Sequence, residues 1–303
     1  MRMEAERIAL VALLRLRPQK LSWSALTEKV LDTGSAQIVF DDYFPPQLID
    51  DPRVSAAWAQ AEADLQTWQA EGLEFLSVLD PMFPRRLHDI MQTPPFLFAQ
   101  GHLIPDDQGF SVVGSRKASP EGEGFAREIA TYLAGEGLTV VSGMAAGIDT
   151  AAHQAALAVG GRTVAFVATG VNRTYPAQNR HLHESIADLG LVLSQFWPDA
   201  PPQKHTFLMR NALMSGYGLA SIIVEAGETS GARAQARMAV EHGRPVILTE
   251  SVVARNHWAK TLIQQRGVHL ATDMTDIDRL VTQIREEPVR VDSALRELAL
   301  THR

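Results

Sequence analysis

Ser111-Val112-Val113-Gly114-Ser115-Arg116 and, after a helical stretch, Val140-Val141-Ser142-Gly143-Met144-Ala145-Ala146-Gly147-Ile148-Asp149 decide how this chain is read. Each is an apolar run that breaks into a glycine turn and opens a helix. That geometry directs backbone N–H groups and a helix N-terminus at an anion. Two such turns side by side predict a phosphate-binding edge. The first turn lacks the G-x-G-x-x-G spacing, and no acidic residue follows at the distance a ribose needs, which disfavours a nicotinamide enzyme. Instead it offers a Ser115 hydroxyl and an Arg116 fork, groups suited to phosphate oxygens. The competing reading pairs Arg116 with a nearby carboxylate.

Working outward, short β-branched runs alternate with helical stretches: Ser111–Val113, Leu138–Val141, Thr163–Ala168, Leu191–Ser194, Ala220–Glu225 and Pro245–Thr249. Strands apolar on both faces belong in a parallel sheet covered by helices on both sides. The expected fold class is α/β, a doubly wound parallel sheet, with a small N-terminal helical module. In that module, residues 1–30 read as an amphipathic helix followed by a second one capped at Ser22 or Ser24. Val54–Glu71 reads as a third helix, with Phe40–Pro46 a proline-broken connection between them. The expected boundaries are 1–75 for the module, 76–288 for the α/β domain and 289–303 for a tail with a short polar helix at Ser293–Thr301.

The 303 residues are 46% apolar and 21% charged, without cysteine, which excludes disulfides and thiolate chemistry and fits a reducing cytoplasm. The N-terminus carries acids beside a short apolar stretch and has no small-residue cleavage site, so neither a signal peptide nor a membrane partner is expected. The net charge of -7 resides in the first third, where residues 1–111 hold 16 acids against 9 Lys and Arg. Any phosphate binding must therefore come from a local cluster rather than from the field of the whole protein.

In an open parallel sheet, ligands bind beyond the carboxyl ends of the strands. The candidates there are Gly114, Ser115, Arg116, Ser142, Gly143 and Gly147, with Thr169-Gly170, Gln195–Pro198 and Glu225-Ala226 at the later strand ends. Lys204 and Phe207 precede Arg210 and Asn211, which are read as the start of a helix. A cation for phosphate beside a ring for a base is the minimal device for single-stranded nucleic acid, stacking being worth roughly 1–3 kcal/mol per base. Arg210 either orients the phosphate loop or pairs with Glu225 across the sheet edge. Ser230 caps a further helix, so Ser230, Gly231 and Arg233 form a third anion site or an ordinary N-cap. Asp149 and His153 lie four apart without a third ligand, so they brace the glycine turn rather than hold a metal. His181 and His183 read as surface residues. No G-x-S-x-G elbow supports acyl transfer.

These motifs, together with Thr174-Tyr175-Pro176, Phe207-Leu208-Met209-Arg210-Asn211, Val224-Glu225-Ala226 with Ser230-Gly231, and Glu241–Val246, resemble the DNA-processing protein A (Smf) family. Phe83–Leu87 and Pro94–Phe98 with Gly101 look like that family's lead-in to its first strand, so the resemblance covers about residues 75 to 285. It implies a Rossmann-like core that binds single-stranded DNA without catalysis or cofactor, protects incoming DNA and hands it to a RecA-type recombinase, as a cytoplasmic homodimer. It also implies that the arginine of Gly-Ser-Arg, with Lys204 and Phe207, forms the DNA pocket. The chain departs from the family pattern at Ala212, at Gln235-Ala236-Arg237 and at Thr249-Glu250-Ser251, and lacks the winged-helix tail of many members. The alternative is a nucleotide-binding sensor or phosphoribohydrolase-like enzyme of the same superfamily. Against it, Glu225–Gly231 lacks the twin glycines and following acid of the P-G-G-x-G-T-x-x-E motif.

Overall fold

The computed structural model describes the backbone of residues 2–45 and 51–301 and side chains from 3 to 45 and from 51 to 287. Four helices come first: α1 (Arg2–Leu16), α2 (Trp23–Thr33), α3 (Ala36–Tyr43) and α4 (Pro52–Ala70). Ser22 caps α2 by accepting the Ala25 N–H, and Ser35 caps α3 by accepting the Ile38 N–H. Residues expected to form a broken connection are therefore helical up to Tyr43, because a Ser N-cap supplies the acceptor that starts α3. Pro46 lies outside the described residues. Nor is α1 amphipathic, since every residue from Ile8 to Leu14 is buried. A helix apolar on all sides belongs inside, and here α3, α4 and the sheet surround it.

The strands are β1 (Glu74–Ser77), β2 (Phe96–Gly101), β3 (Gly109–Gly114), β4 (Thr139–Ser142), β5 (Thr163–Phe166), β6 (Leu191–Ser194), β7 (Ala220–Glu225), β8 (Val246–Thr249) and β9 (Val268–Ala271). They form one sheet in the order β1-β2-β6-β5-β4-β3-β7-β8-β9. From β6 to β9 every pairing is parallel. The α/β expectation holds, but β1 and β2 add an antiparallel ribbon on β6 and β9 extends the far edge. These three were missed because Phe96–Phe98 read as a lead-in and the short β9 has no long apolar run.

The connecting helices are α5 (Pro120–Gly135), α6 (Ile148–Ala158), α7 (Arg180–Leu189), α8 (Lys204–Tyr217), α9 (Gly231–Glu241), α10 (Glu250–Arg255), α11 (His257–Leu262) and α12 (Met274–Thr301). The stretch Ser293–Thr301 is the end of α12 rather than a separate helix. Successive strand residues enter opposite cores: Val112, Val140 and Ile222 pack with α5, α6 and α12, whereas Val113, Val141 and Ile223 pack with α8, α9 and the N-terminal helices. This is the period-two alternation of a sheet buried on both faces.

The chain steps outward from β3 to β6, then α8 carries it back so that β7 lies beside β3. Neighbouring strands whose connections leave in opposite directions open a crevice at their carboxyl ends. The Gly114 turn and the Glu225 loop flank that crevice.

Candidate nucleic-acid interface

The two glycine turns interlock. Gly147 has φ 76°, in the left-handed region, and a Cβ there would strike the Ser115 carbonyl. The Ile148 N–H donates to that carbonyl at 3.3 Å, which ties the start of α6 to the Gly114 turn. Ser115 Oγ accepts the Lys117 N–H at 3.1 Å, leaving its own proton to donate outward. The N-terminus of α5 is not open to a ligand. Its anion is Glu225, whose carboxylate accepts from the Ser119 N–H at 3.1 Å and from Ser119 Oγ at 2.6 Å. Opposite charge at a helix start is favourable there, so Glu225 serves α5 and does not pair with Arg210.

Arg210 pairs instead with Asp149 at 3.6 Å, their side chains 6% and 5% exposed. Asp149 lies across the crevice because the second glycine turn delivers it there, and its carboxylate accepts the Ala145 N–H at 3.3 Å. Burial pushes the Asp149 carboxyl above its usual range, while the Arg210 guanidinium opposes that shift. Burial likewise draws Arg210 below its ordinary value, with Asp149 opposing and Arg116 adding to the shift. The guanidinium lies so close to Gly143 that a Cβ on that residue would overlap Arg210 Nη1. His153 is fully buried beneath the turn, 2.6 Å from Thr163 Oγ1. Thr163 Oγ1 gives its proton to the Val140 carbonyl, so His153 Nδ1 is the donor to it.

Lys204 and Phe207 stand on the first turn of α8, which begins six residues before the expected start at Arg210. The cause is a reciprocal cap between Gln203 and Thr206. Phe207 is half-buried, and the Arg116 guanidinium carbon sits 4.9 Å from its ring centroid. Tyr175, 46% exposed, meets that ring edge-to-face at 5.6 Å. Arg116, Lys117 and Lys204 are exposed, and none has an ion-pair partner among the described residues. The carboxylate reading of Arg116 therefore finds no partner.

Gly114, Ser115, Arg116, Lys204, Phe207, Arg210, Asn211, Ser230 and Gly231 line one cleft of about 690 Å³, with Lys117 and Asp149. Asn211 Nδ2 donates to the Gly231 carbonyl at 3.2 Å, fastening α8 to the start of α9. Ser230 Oγ accepts the Arg233 N–H at 3.3 Å as the α9 cap. Four expected residues, Ser142, Gly143, Gly147 and Arg233, do not line this cleft. Ser142 is buried and donates to the Val112 carbonyl at 2.7 Å, joining β4 to β3. Arg233 is held by the Glu228 carbonyl at 2.9 Å within its own loop, and Gly147 braces from behind. Gly143 opens onto an adjoining recess. His181 is exposed, whereas His183 is buried in α7, contrary to its surface reading.

Lys117, Tyr175 and the Asp149–Arg210 pair went unread as site features. Lys117 directly follows Gly-Ser-Arg, a signal that was available. Tyr175 stands in the Thr174-Tyr175-Pro176 motif, a second available signal, whereas nothing local marks the pairing.

The family described as DNA recombination-mediator protein A matches residues 74–283. Protein Smf of Synechocystis is 38% identical over 187 residues, 60% of this chain and 47% of that protein. The DNA processing protein DprA of Streptococcus pneumoniae is 39% identical over 204 residues, 66% of this chain and 72% of that protein. This chain thus spans about half the length of the Synechocystis relative and a larger share of the streptococcal one. The solved structure of the streptococcal DprA superposes with a TM-score of 0.68 at 28% identity, covering 91% of this chain and 95% of that one. That of the Helicobacter pylori protein gives 0.61 at 23% identity, covering 71% and 96%.

Proposed function

We propose, from a chain that belongs to the DNA recombination-mediator protein A family, that the cleft at the carboxyl ends of β3 and β7 binds single-stranded DNA without catalysis. The observation that carries this is Arg116, which lies over the Phe207 ring and has no ion-pair carboxylate among the described residues. A guanidinium fork held on an aromatic face presents phosphate contacts and a stacking surface together. Lys204 and Lys117 add exposed cations at the same rim. The S. pneumoniae relative is named a DNA processing protein and the H. pylori structure is described for its single-stranded DNA binding mode, which supports the same ligand class.

Within this reading the protein works in the cytoplasm as a homodimer, protects incoming single strands and passes them to a RecA-type recombinase. Arg116, Lys204 and Phe207 contact the strand. Ser115, Ser230 and Gly231 offer hydrogen bonds at the rim, while Arg210, Asn211 and the glycines hold the cleft's shape.

Fluorescence anisotropy with labelled oligo-dT tests the proposal, set against duplex of equal length and against mononucleotides. The expected result is salt-dependent binding of the single strand and much weaker binding of the other two, because Phe207 can stack only on an unpaired base. Phe207→Ala should cost roughly 1–3 kcal/mol with the salt slope unchanged. Equal affinity for single strand and duplex, or tight binding of a mononucleotide alone, would reject it.

A further inference from the structure

A second groove, of about 650 Å³, opens at the carboxyl edge of the sheet where the loop after β6 meets the N-terminal helices. Its lining is Trp197, Pro198 and Pro201 from the loop, with Leu14, Arg15 and Trp68 from α1 and α4. We propose that a single strand leaving the cleft continues along this edge to the groove, where Trp197 takes a base and Arg17 and Lys20 of the helical module take phosphates. The inference rests on the single-stranded DNA reading of the cleft, which it extends to a part of the chain that reading leaves idle.

The groove repeats the device of the cleft. Arg15 holds its guanidinium carbon 5.8 Å from the Trp197 ring centroid, as Arg116 does at 4.9 Å from that of Phe207. A cation over an aromatic face joins charge to a stacking surface. Trp197 also packs against Trp68 at 5.7 Å and Phe96 at 5.3 Å, so the ring is held in place while part of it stays open to solvent. The two acids of the groove are already engaged. Asp64 pairs with Arg15 and accepts from Gln60 Nε2 at 2.9 Å, and Asp199 accepts from Asn172 Nδ2 at 3.3 Å.

Charge along the chain points the same way. The first third is acidic overall, yet from Arg7 to Thr27 it holds four cations and no acid. Arg7 pairs with Asp80 at 2.9 Å and Arg15 with Asp64. Arg17 and Lys20, in the turn after α1, are exposed and have no ion-pair partner among the described residues. They stand two and five residues beyond Arg15, at the end of the helix that reaches the groove. Arg173 follows β5, which lies between β6 and β3 in the sheet. It is exposed, and its Nε donates to the Asp199 carbonyl at 2.6 Å, which sets a further cation between groove and cleft. The span is short. β6 is three strands from β3, about 14 Å at the usual strand spacing, or roughly four nucleotides at about 3.4 Å each. Pro201 lines the groove and Lys204 the cleft, and the three residues of chain that join them cover at most about 11 Å.

The experiment measures binding of the full chain to oligo-dT of about 4 nucleotides, enough for the cleft, and of about 15, enough for both contacts, over a series of salt concentrations. The longer strand should bind more tightly and with a steeper slope of log affinity against log salt. Arg173→Ala should flatten that slope by about 0.7, and Arg17→Ala combined with Lys20→Ala by about 1.4, at about 0.7 for each phosphate contact on a single strand. Binding of the short strand should not change in either variant. The longer strand alone should quench tryptophan fluorescence, and Trp197→Phe should remove that quenching while keeping most of the affinity, since phenylalanine still stacks. Slopes on the longer strand that stay at the parent value overturn the proposal and leave the cleft standing, because the strand then leaves by another route. A variant that weakens both strands alike overturns it too, since the loss then comes through the cleft. Quenching that survives Trp197→Phe overturns the stack at the groove. If neither strand binds the unaltered protein, the single-strand reading itself falls, and this extension with it.

Discussion

Replacing Gly143 with alanine should destabilise the protein by about 2–4 kcal/mol, through a side chain that is not its own. The added methyl falls on Arg210 Nη1, an overlap no small adjustment relieves. The guanidinium must therefore leave its seat, and Asp149 is left buried at 5% exposure without its ion-pair partner. Depriving a buried charge of its partner costs about 3–5 kcal/mol. A Gly→Ala change at an unstrained position returns about 0.4–1 kcal/mol by restricting the unfolded chain, so the loss dominates. The pH dependence follows from the direction of the Asp149 shift. Its carboxyl already titrates above 3.8 in the folded protein, and losing Arg210 raises it further. Between 3.8 and the folded pKa the native state binds more protons than the unfolded chain, so stability falls as pH rises through that window and levels off above it. The variant's deficit should accordingly be smaller at about pH 5 than at about pH 8, as read by urea unfolding followed by circular dichroism. A variant as stable as the parent at both pH values would refute the reasoning, showing that Arg210 relaxes without cost.

Three further outcomes are expected. Arg116→Lys should weaken single-strand binding although the charge is kept, because an ammonium cannot make the planar, two-point contact, while thermal stability barely changes. A large drop in melting temperature with binding retained per folded molecule would instead make Arg116 a brace. Lys204→Ala should flatten the slope of log affinity against log salt by about one unit, and an unaltered slope would mean that Lys204 touches no phosphate. His153 is held neutral by burial, its pKa depressed from 6.5 to about 3. The stability it confers is full above 6.5 and is lost as pH falls from there toward about 3, at up to about 1.4 kcal/mol per pH unit. His153→Gln should flatten that acid limb in unfolding measurements at neutral and mildly acidic pH; an identical limb would assign it to other groups.

Much of the candidate site was legible because its parts are local. Gly114-Ser115-Arg116 and Ser230-Gly231 declare a turn and a cap within a few residues, and turn and cap chemistry acts over that range. Both surround the cleft where the crevice was expected. The side chains read from residue type alone fared less well. Ser142 bonds a β3 carbonyl, His183 is buried, and Arg233 is taken by its own loop. Each of these depends on which neighbour arrives in space.

What the sequence by itself determined is the alternation of buried strands with helices, the glycine turns at the strand ends and therefore a crevice with Arg116, Lys204 and Phe207 near it. Strand period, glycine conformation and capping are properties of a chain over one or two turns, so they survive without knowledge of the fold. Only the tertiary structure decided the partners. Asp149 meets Arg210, and Glu225 is spent on α5, because the return of the chain through α8 sets β7 beside β3. The same return carries Phe207 against both Arg116 and Tyr175. A buried charge takes whichever opposite charge the topology delivers, and desolvation makes that choice binding. No local pattern in the chain records it.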